Sequence, residues 1–122
     1  MDRTFSLIAA LAGFIGVTLG AFGAHGLRNR LSADMLGVFE TGVRYHLVHA
    51  LAILLVSVIL SRATSTWIVA AGWFFTGGIV LFSGSLYLMA LTGARGLGAI
   101  TPLGGLAFLL GWASLAWAAA WR

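Results

Sequence analysis

The stretch "FETGVRYHLVHA", Phe39 to Ala50, places Glu40, Arg44, Tyr45, His46 and His49 within ten residues. On a helix, Glu40 and Arg44 stand at i, i+4 and can form an ion pair. Tyr45 and His49 share that spacing, and His46 and His49 stand at i, i+3. Such a set supports three kinds of chemistry. One is a satisfied ion-pair and hydrogen-bond network that pins helices together. A second is a polar path or ligand site for a proton, a small solute or a lipid headgroup, because histidine titrates near neutral pH. A third is a metal or haem site, with His25, His46 and His49 beside Glu40 as ligands. His-x-x-His alone is a weak metal signal, and no C-x-x-C-H haem attachment motif is present. The network reading leads, and no metal or cofactor is expected.

Enzyme chemistry has little to work with. Asp2 and Asp34 belong near the membrane surface, which leaves Glu40 as the acid of the cluster. No serine sits in G-x-S-x-G. "GARGLG" is not a phosphate loop, since neither a strand nor a Lys-Ser/Thr pair accompanies it. The chain is expected not to be an enzyme.

The elements that must position this cluster are set by composition. The chain has 122 residues, 61% hydrophobic and 8% charged. Soluble domains carry roughly 25% charged residues. The chain therefore reads as an integral membrane protein in one domain. The net charge of +4 comes with seven arginines scattered singly. That pattern flanks membrane spans and does not make a nucleic-acid face, so no nucleic-acid partner is expected. Cysteine is absent, which excludes disulfides and thiolate sites.

About 20 apolar residues cross the hydrocarbon core. Four runs qualify, at 5–24, 45–60, 67–93 and 102–121. The first is longer than a signal-peptide core and is read as a span. Short polar connections make successive helices antiparallel neighbours, which predicts an all-α, up-down-up-down four-helix transmembrane bundle. Ser32 and Thr101 are expected N-caps, Asp34 suits a first turn, and Pro102 suits the start of span four. A helix from Ser32 to Leu60 would exceed what a span needs. A short interfacial helix between spans one and two is therefore expected, with a bend at Gly42.

Small residues let helices approach closely in lipid. Span one carries Ala12, Gly16, Gly20 and Ala24, four apart. Span four carries Gly104, Ala107, Gly111, Ser114 and Ala118 at a mean spacing of 3.5. Span three adds Gly72, Thr76, Gly77, Gly84 and Ser85. Trp67, Trp117 and Trp121 read as interfacial anchors, and Trp73 and Trp112 as deeper packing residues. Antiparallel spans should gather His25, Glu40, Arg44, His46, His49, Ser85 and Tyr87 toward one membrane face. An unpaired Arg44 would be costly there, so Glu40 is its expected counter-ion and Arg44→Ala is expected to lower thermal stability. Arg3, Arg62 and Arg122 fall on one side and Arg28, Arg30 and Arg95 on the other, which leaves orientation undecided.

Four blocks together carry a resemblance: "LGAFGAHGL" (Leu19–Leu27), "FETGVRYHLVHALAIL" (Phe39–Leu54), "LFSGSLYLMALTG" (Leu81–Gly93) and "TPLGG" (Thr101–Gly105). In this order they resemble the domain of unknown function 423 family, which includes transmembrane protein 256-like small membrane proteins. The resemblance covers essentially the whole chain. It implies a small multi-helix protein, in the inner membrane for bacterial members, and it implies no activity. Its hallmark blocks contain His25, Arg44, Tyr45 and His49. The resulting expectation is a small, non-enzymatic membrane protein, structural or accessory to a membrane-protein partner or a homo-oligomer. The alternative is a channel- or transporter-like protein whose polar cluster binds a proton, solute or lipid headgroup.

Overall fold

Apolar composition and short polar links build four long helical spans. The computed structural model describes residues 1–121. Helix α1 covers Asp2–His25 and α2 covers Ala33–Leu60. The third span, Thr66–Thr92, is α3 (Thr66–Gly78), a π-helical turn (Ile79–Ser83) and α4 (Gly84–Thr92) in series. A 3₁₀ turn, Arg95–Ala99, leads into α5, Thr101–Ala120. All four spans are long and apolar enough to cross a membrane. Among the described residues there is no strand.

The spans pack in sequence order. α1 lies against α2, α2 against α3 and α4, and α5 against α3 and the π turn. The central α2 buries the most surface and α1 the least. Apolar side chains face outward freely, with Phe14 72% and Leu109 68% exposed. In water such a surface would drive association; in hydrocarbon it is the matched face. Inside, Phe5, Ile53, Val56, Ile68 and Phe75 form the larger core. Leu27, Phe39 and Ala90 form a smaller one at the other end.

Ser32 caps α2 as its position predicts: its hydroxyl accepts from the Met35 N–H at 3.2 Å, with Asp34 in the first turn. Pro102 stands in the first turn of α5. Thr101 does not cap α5. It is already helical, and its hydroxyl bonds Ser85 Oγ at 2.7 Å instead. A cross-helix partner has taken the oxygen that a local cap would have used.

The expected interfacial segment is not a separate helix. α2 runs unbroken from Ala33 through Gly42 to Leu60. Gly42 serves close approach rather than bending, since a Cβ there would meet the Tyr87 ring at 2.9 Å. The π turn lies opposite this point. Ser83 donates to the Gly42 carbonyl at 2.7 Å, and the Phe82 backbone lies against Gly104 of α5. Such turns insert one extra residue and have no local sequence signature beyond a tolerance for irregularity. α4 ends at Gly93, whose φ of +73° is the left-handed conformation that glycine adopts without strain.

The small-residue stripes pack largely as expected. Gly16 faces Leu47 and His46, and Gly20 faces Val43. Ala24 is exposed; its neighbour Gly23 takes its place, against the Phe39 ring. In α5, Gly104, Gly111 and Ser114 are buried, and Ala107 and Ala118 half-buried. In the third span Gly72 receives the Phe5 ring, whereas Gly77 and Gly84 have open space beside them and do not mediate contact. Trp67, Trp117 and Trp121 cluster at one end, with ring centroids 6.0 and 5.5 Å apart. Trp73 and Trp112 pack against Phe5 and Phe75 but remain about half exposed.

Candidate functional site

The buried face of α2 carries His46 and His49, and the packing of the other spans gives them different neighbours. The His46 ring bridges two other spans. Its Nε2 lies 2.8 Å from the Ala12 carbonyl of α1, and its Nδ1 2.8 Å from the Tyr87 hydroxyl of α4. A carbonyl only accepts, so Nε2 carries the proton and Nδ1 accepts from Tyr87. His46 therefore ties α1, α2 and α4 together at one level. Ala12, counted in the sequence as a packing residue, supplies an acceptor as well.

His49 has the opposite proton arrangement. Its Nδ1 donates to the Tyr45 carbonyl one turn back, at 2.8 Å. Its Nε2 accepts the indole N–H of Trp112 on α5, at 3.1 Å. Indole nitrogen only donates, so Nε2 must be the bare nitrogen. The ring stacks on Phe108, with centroids 3.7 Å apart and planes 10° from parallel. Tyr45 stands beside it with its ring nearly parallel, 7° off, and half exposed on the outer surface of the bundle. A cleft of about 660 Å³ opens here between α2 and α5, floored by Tyr45, His49, Phe108 and Trp112. Its walls are almost wholly apolar.

The rest of the predicted cluster divides. Ser85 and Tyr87 lie on α4, but Ser85 bonds Thr101 and the Phe82 carbonyl, not a histidine. His25, Glu40 and Arg44 are exposed. The expected Glu40–Arg44 ion pair is not formed: among the described residues the close ion pair is between the Met1 ammonium and Asp2, at 3.9 Å. Glu40 instead shares a small cavity with Arg28. The i, i+4 spacing permits contact without requiring it, and long exposed side chains gain little by holding one geometry. His25 stands at the end of α1, apart from the other two histidines in every bond they make. Among the described residues, no three His, Asp or Glu side chains gather to hold a metal ion.

The Trp112 donor and the Ser6–Ser57 pair lie outside the polar set read from the sequence. Trp112 gave one usable signal, an indole N–H at membrane depth that needs an acceptor. The Ser6–Ser57 pair, which also meets the Asp2 carbonyl, gave none beyond small size, and Ser83, which the sequence places beside Ser85 and Tyr87, bonds the Gly42 carbonyl and no histidine. Among the described residues, every buried side-chain nitrogen and oxygen has a hydrogen-bond partner.

A family model described as a protein of unknown function (DUF423) matches residues 19–105, from the end of α1 to the start of α5. The chain is 44% identical over 111 residues to UPF0382 membrane protein YwdK of Bacillus subtilis, covering 90% of each. It is 47% identical over 114 residues to UPF0382 inner membrane protein YgdD of Escherichia coli K12, covering 93% of this chain and 87% of the relative. A UPF0382 membrane protein of Staphylococcus saprophyticus is 47% identical over 113 residues, 93% of each chain. No solved structure matches.

Proposed function

The chain belongs to the DUF423 family of membrane proteins, and from that premise we propose that it is a non-enzymatic structural or accessory protein. Its histidines hold helices in place and do not pass protons. It acts through a membrane-protein partner or through copies of itself.

One observation carries this reading: each nitrogen of His49 is occupied by a group whose role is fixed. Tyr45 offers only an acceptor and Trp112 only a donor. A relay must take a proton at one nitrogen and release it at the other. Protonating Nε2 would set two N–H groups against each other and leave the indole without an acceptor. His46 is held by the Ala12 carbonyl on one side and Tyr87 on the other, with no further titratable partner in its bonds.

Purified protein in liposomes, with a pH-sensitive dye inside and an imposed potential, tests the reading. Proton entry no faster than in protein-free liposomes is expected. His49→Ala is expected to lower the unfolding midpoint and change no flux. Flux present in the wild type and lost in a His49→Ala protein of intact fold would overturn the reading in favour of a channel or transporter.

A further inference from the structure

We propose that the outer groove between α1 and α2 binds one aminophospholipid of the phosphatidylethanolamine type, with its headgroup between Arg28 and Glu40. Two separate cavities between these helices make up its upper and lower parts. The lower, about 400 Å³, lies between Gly13 and Val17 of α1 and Leu47, Leu51 and Leu54 of α2, and is apolar. The upper, about 250 Å³, is bounded by Gly23, Ala24, Arg28, Leu36 and Glu40, and is half polar.

The two are aligned. Glu40, Arg44, Leu47, Leu51 and Leu54 are spaced 4, 3, 4 and 3 residues apart, which is one face of a helix. Val17 and Ala24 repeat that alignment on α1, two turns apart. Charge thus lines the upper cavity and hydrocarbon surface the lower, in line along the same helix faces. The depth fits as well. Glu40 precedes Leu60, the end of α2, by 20 residues. At 1.5 Å per residue this is about 30 Å, the thickness of the hydrocarbon core. The charged cavity therefore lies at the headgroup level when Leu60 lies at the opposite boundary.

Charge complementarity selects the occupant. Arg28 and Glu40 line one cavity yet form no close ion pair, and Arg44 is exposed one turn below with no carboxylate within ion-pair distance among the described residues. A ligand carrying both signs satisfies all three. The phosphodiester takes charge-assisted hydrogen bonds from Arg28 and Arg44. The primary ammonium donates to Glu40. An acyl chain lies along Gly13 and Leu51. A choline headgroup has no N–H to give Glu40, and a glycerol headgroup has no cation.

The test is native mass spectrometry of the full-length protein released from nanodiscs with equal phosphatidylethanolamine, phosphatidylcholine and phosphatidylglycerol of identical chains. One ethanolamine lipid per chain, enriched about tenfold over the other two, is expected. Glu40→Gln should erase the preference for ethanolamine over choline. Arg28→Gln should reduce retention of all three. Leu51→Trp, which fills the apolar part and alters no charge, should also release the lipid. All three sites are exposed, and an unchanged helix content and unfolding midpoint in lipid-free detergent separate lost binding from lost folding. Equal retention of the three lipids, or an ethanolamine preference that survives Glu40→Gln, would overturn the proposal. Displacement of the lipid by soluble glycerophosphoethanolamine alone would assign the site to a free solute. A lipid-free dimer that persists in Glu40→Gln and is lost in Leu51→Trp would assign the groove to a second copy of the chain.

Discussion

Trp112 on α5 gives its indole N–H to Nε2 of His49 on α2, 3.1 Å away, while the other nitrogen of that ring holds the Tyr45 carbonyl. This is a direct side-chain hydrogen bond between α2 and α5, and it sits beside the stack of His49 on Phe108. Trp112→Phe keeps an aromatic side chain, smaller than indole, and removes the donor. A buried acceptor left unsatisfied costs about 1–3 kcal/mol, though pairs between membrane helices average about 0.6 kcal/mol. A loss of about 1 kcal/mol is expected in detergent unfolding. His49→Phe in the Trp112→Phe background should cost less than in the wild type. Additive losses in the double-mutant cycle would show that the two side chains are not coupled.

Tyr87→Phe tests the second histidine. The hydroxyl is the donor to His46 Nδ1, and its ring also covers Gly42 and Phe39. Removing one oxygen leaves those ring contacts in place. The expected cost is about 1–2 kcal/mol, with unchanged helix content by circular dichroism. A neutral substitution would mean that His46 is held by the Ala12 carbonyl alone.

The glycines separate into two groups that substitution can tell apart. A Cβ at Gly104 would run into the Phe82 backbone. Backbone does not rotate away as a side chain does, so Gly104→Ala should force α5 off the π turn and cost about 1–3 kcal/mol or more. Gly77 is helical with open space at its Cβ position. Gly77→Ala should be neutral or stabilising by up to about 1 kcal/mol, because alanine restricts the unfolded chain. The pair is measured by thermal unfolding in one detergent. Equal effects at both sites would contradict the packing described here.

This contrast also shows what the sequence could convey. Span number, antiparallel order, the Ser32 cap and the small-residue seam of α5 follow from composition and spacing, because each is a local rule acting on neighbouring residues. The seam is readable since Gly104, Gly111 and Ser114 keep one helical face. Gly77 and Gly84 look identical to Gly72 in the sequence, yet only contact with another span, Phe5 in the case of Gly72, makes a glycine a packing residue. The site was legible in part. Histidines at i, i+3 announce one shared buried face, but which donor or acceptor each ring finds there is a property of the other spans. Thr101 is the sharpest case: its type and position spell a cap, and a hydroxyl on α4 claims it. The π turn was invisible, since no residue within Ile79–Ser83 breaks a helix by itself.

Arg44 departs from its predicted pairing. The sequence predicts an ion pair with Glu40, and that pair is not formed. In the structure Arg44 is exposed, forms no close ion pair among the described residues and lies 11 residues into α2. An arginine that reaches toward the interface from that level keeps its charge in a wet region, with its methylenes along the apolar surface. Removing it therefore takes away no folded-state partner. Arg44→Leu is expected to leave the unfolding midpoint in lipid-free detergent unchanged within about 0.5 kcal/mol, as for a surface site. In a bilayer the same substitution should loosen the retained lipid, since its cation would be gone from the groove. A loss above about 2 kcal/mol in detergent would restore the buried ion-pair network and require Arg44 to turn inward toward Glu40.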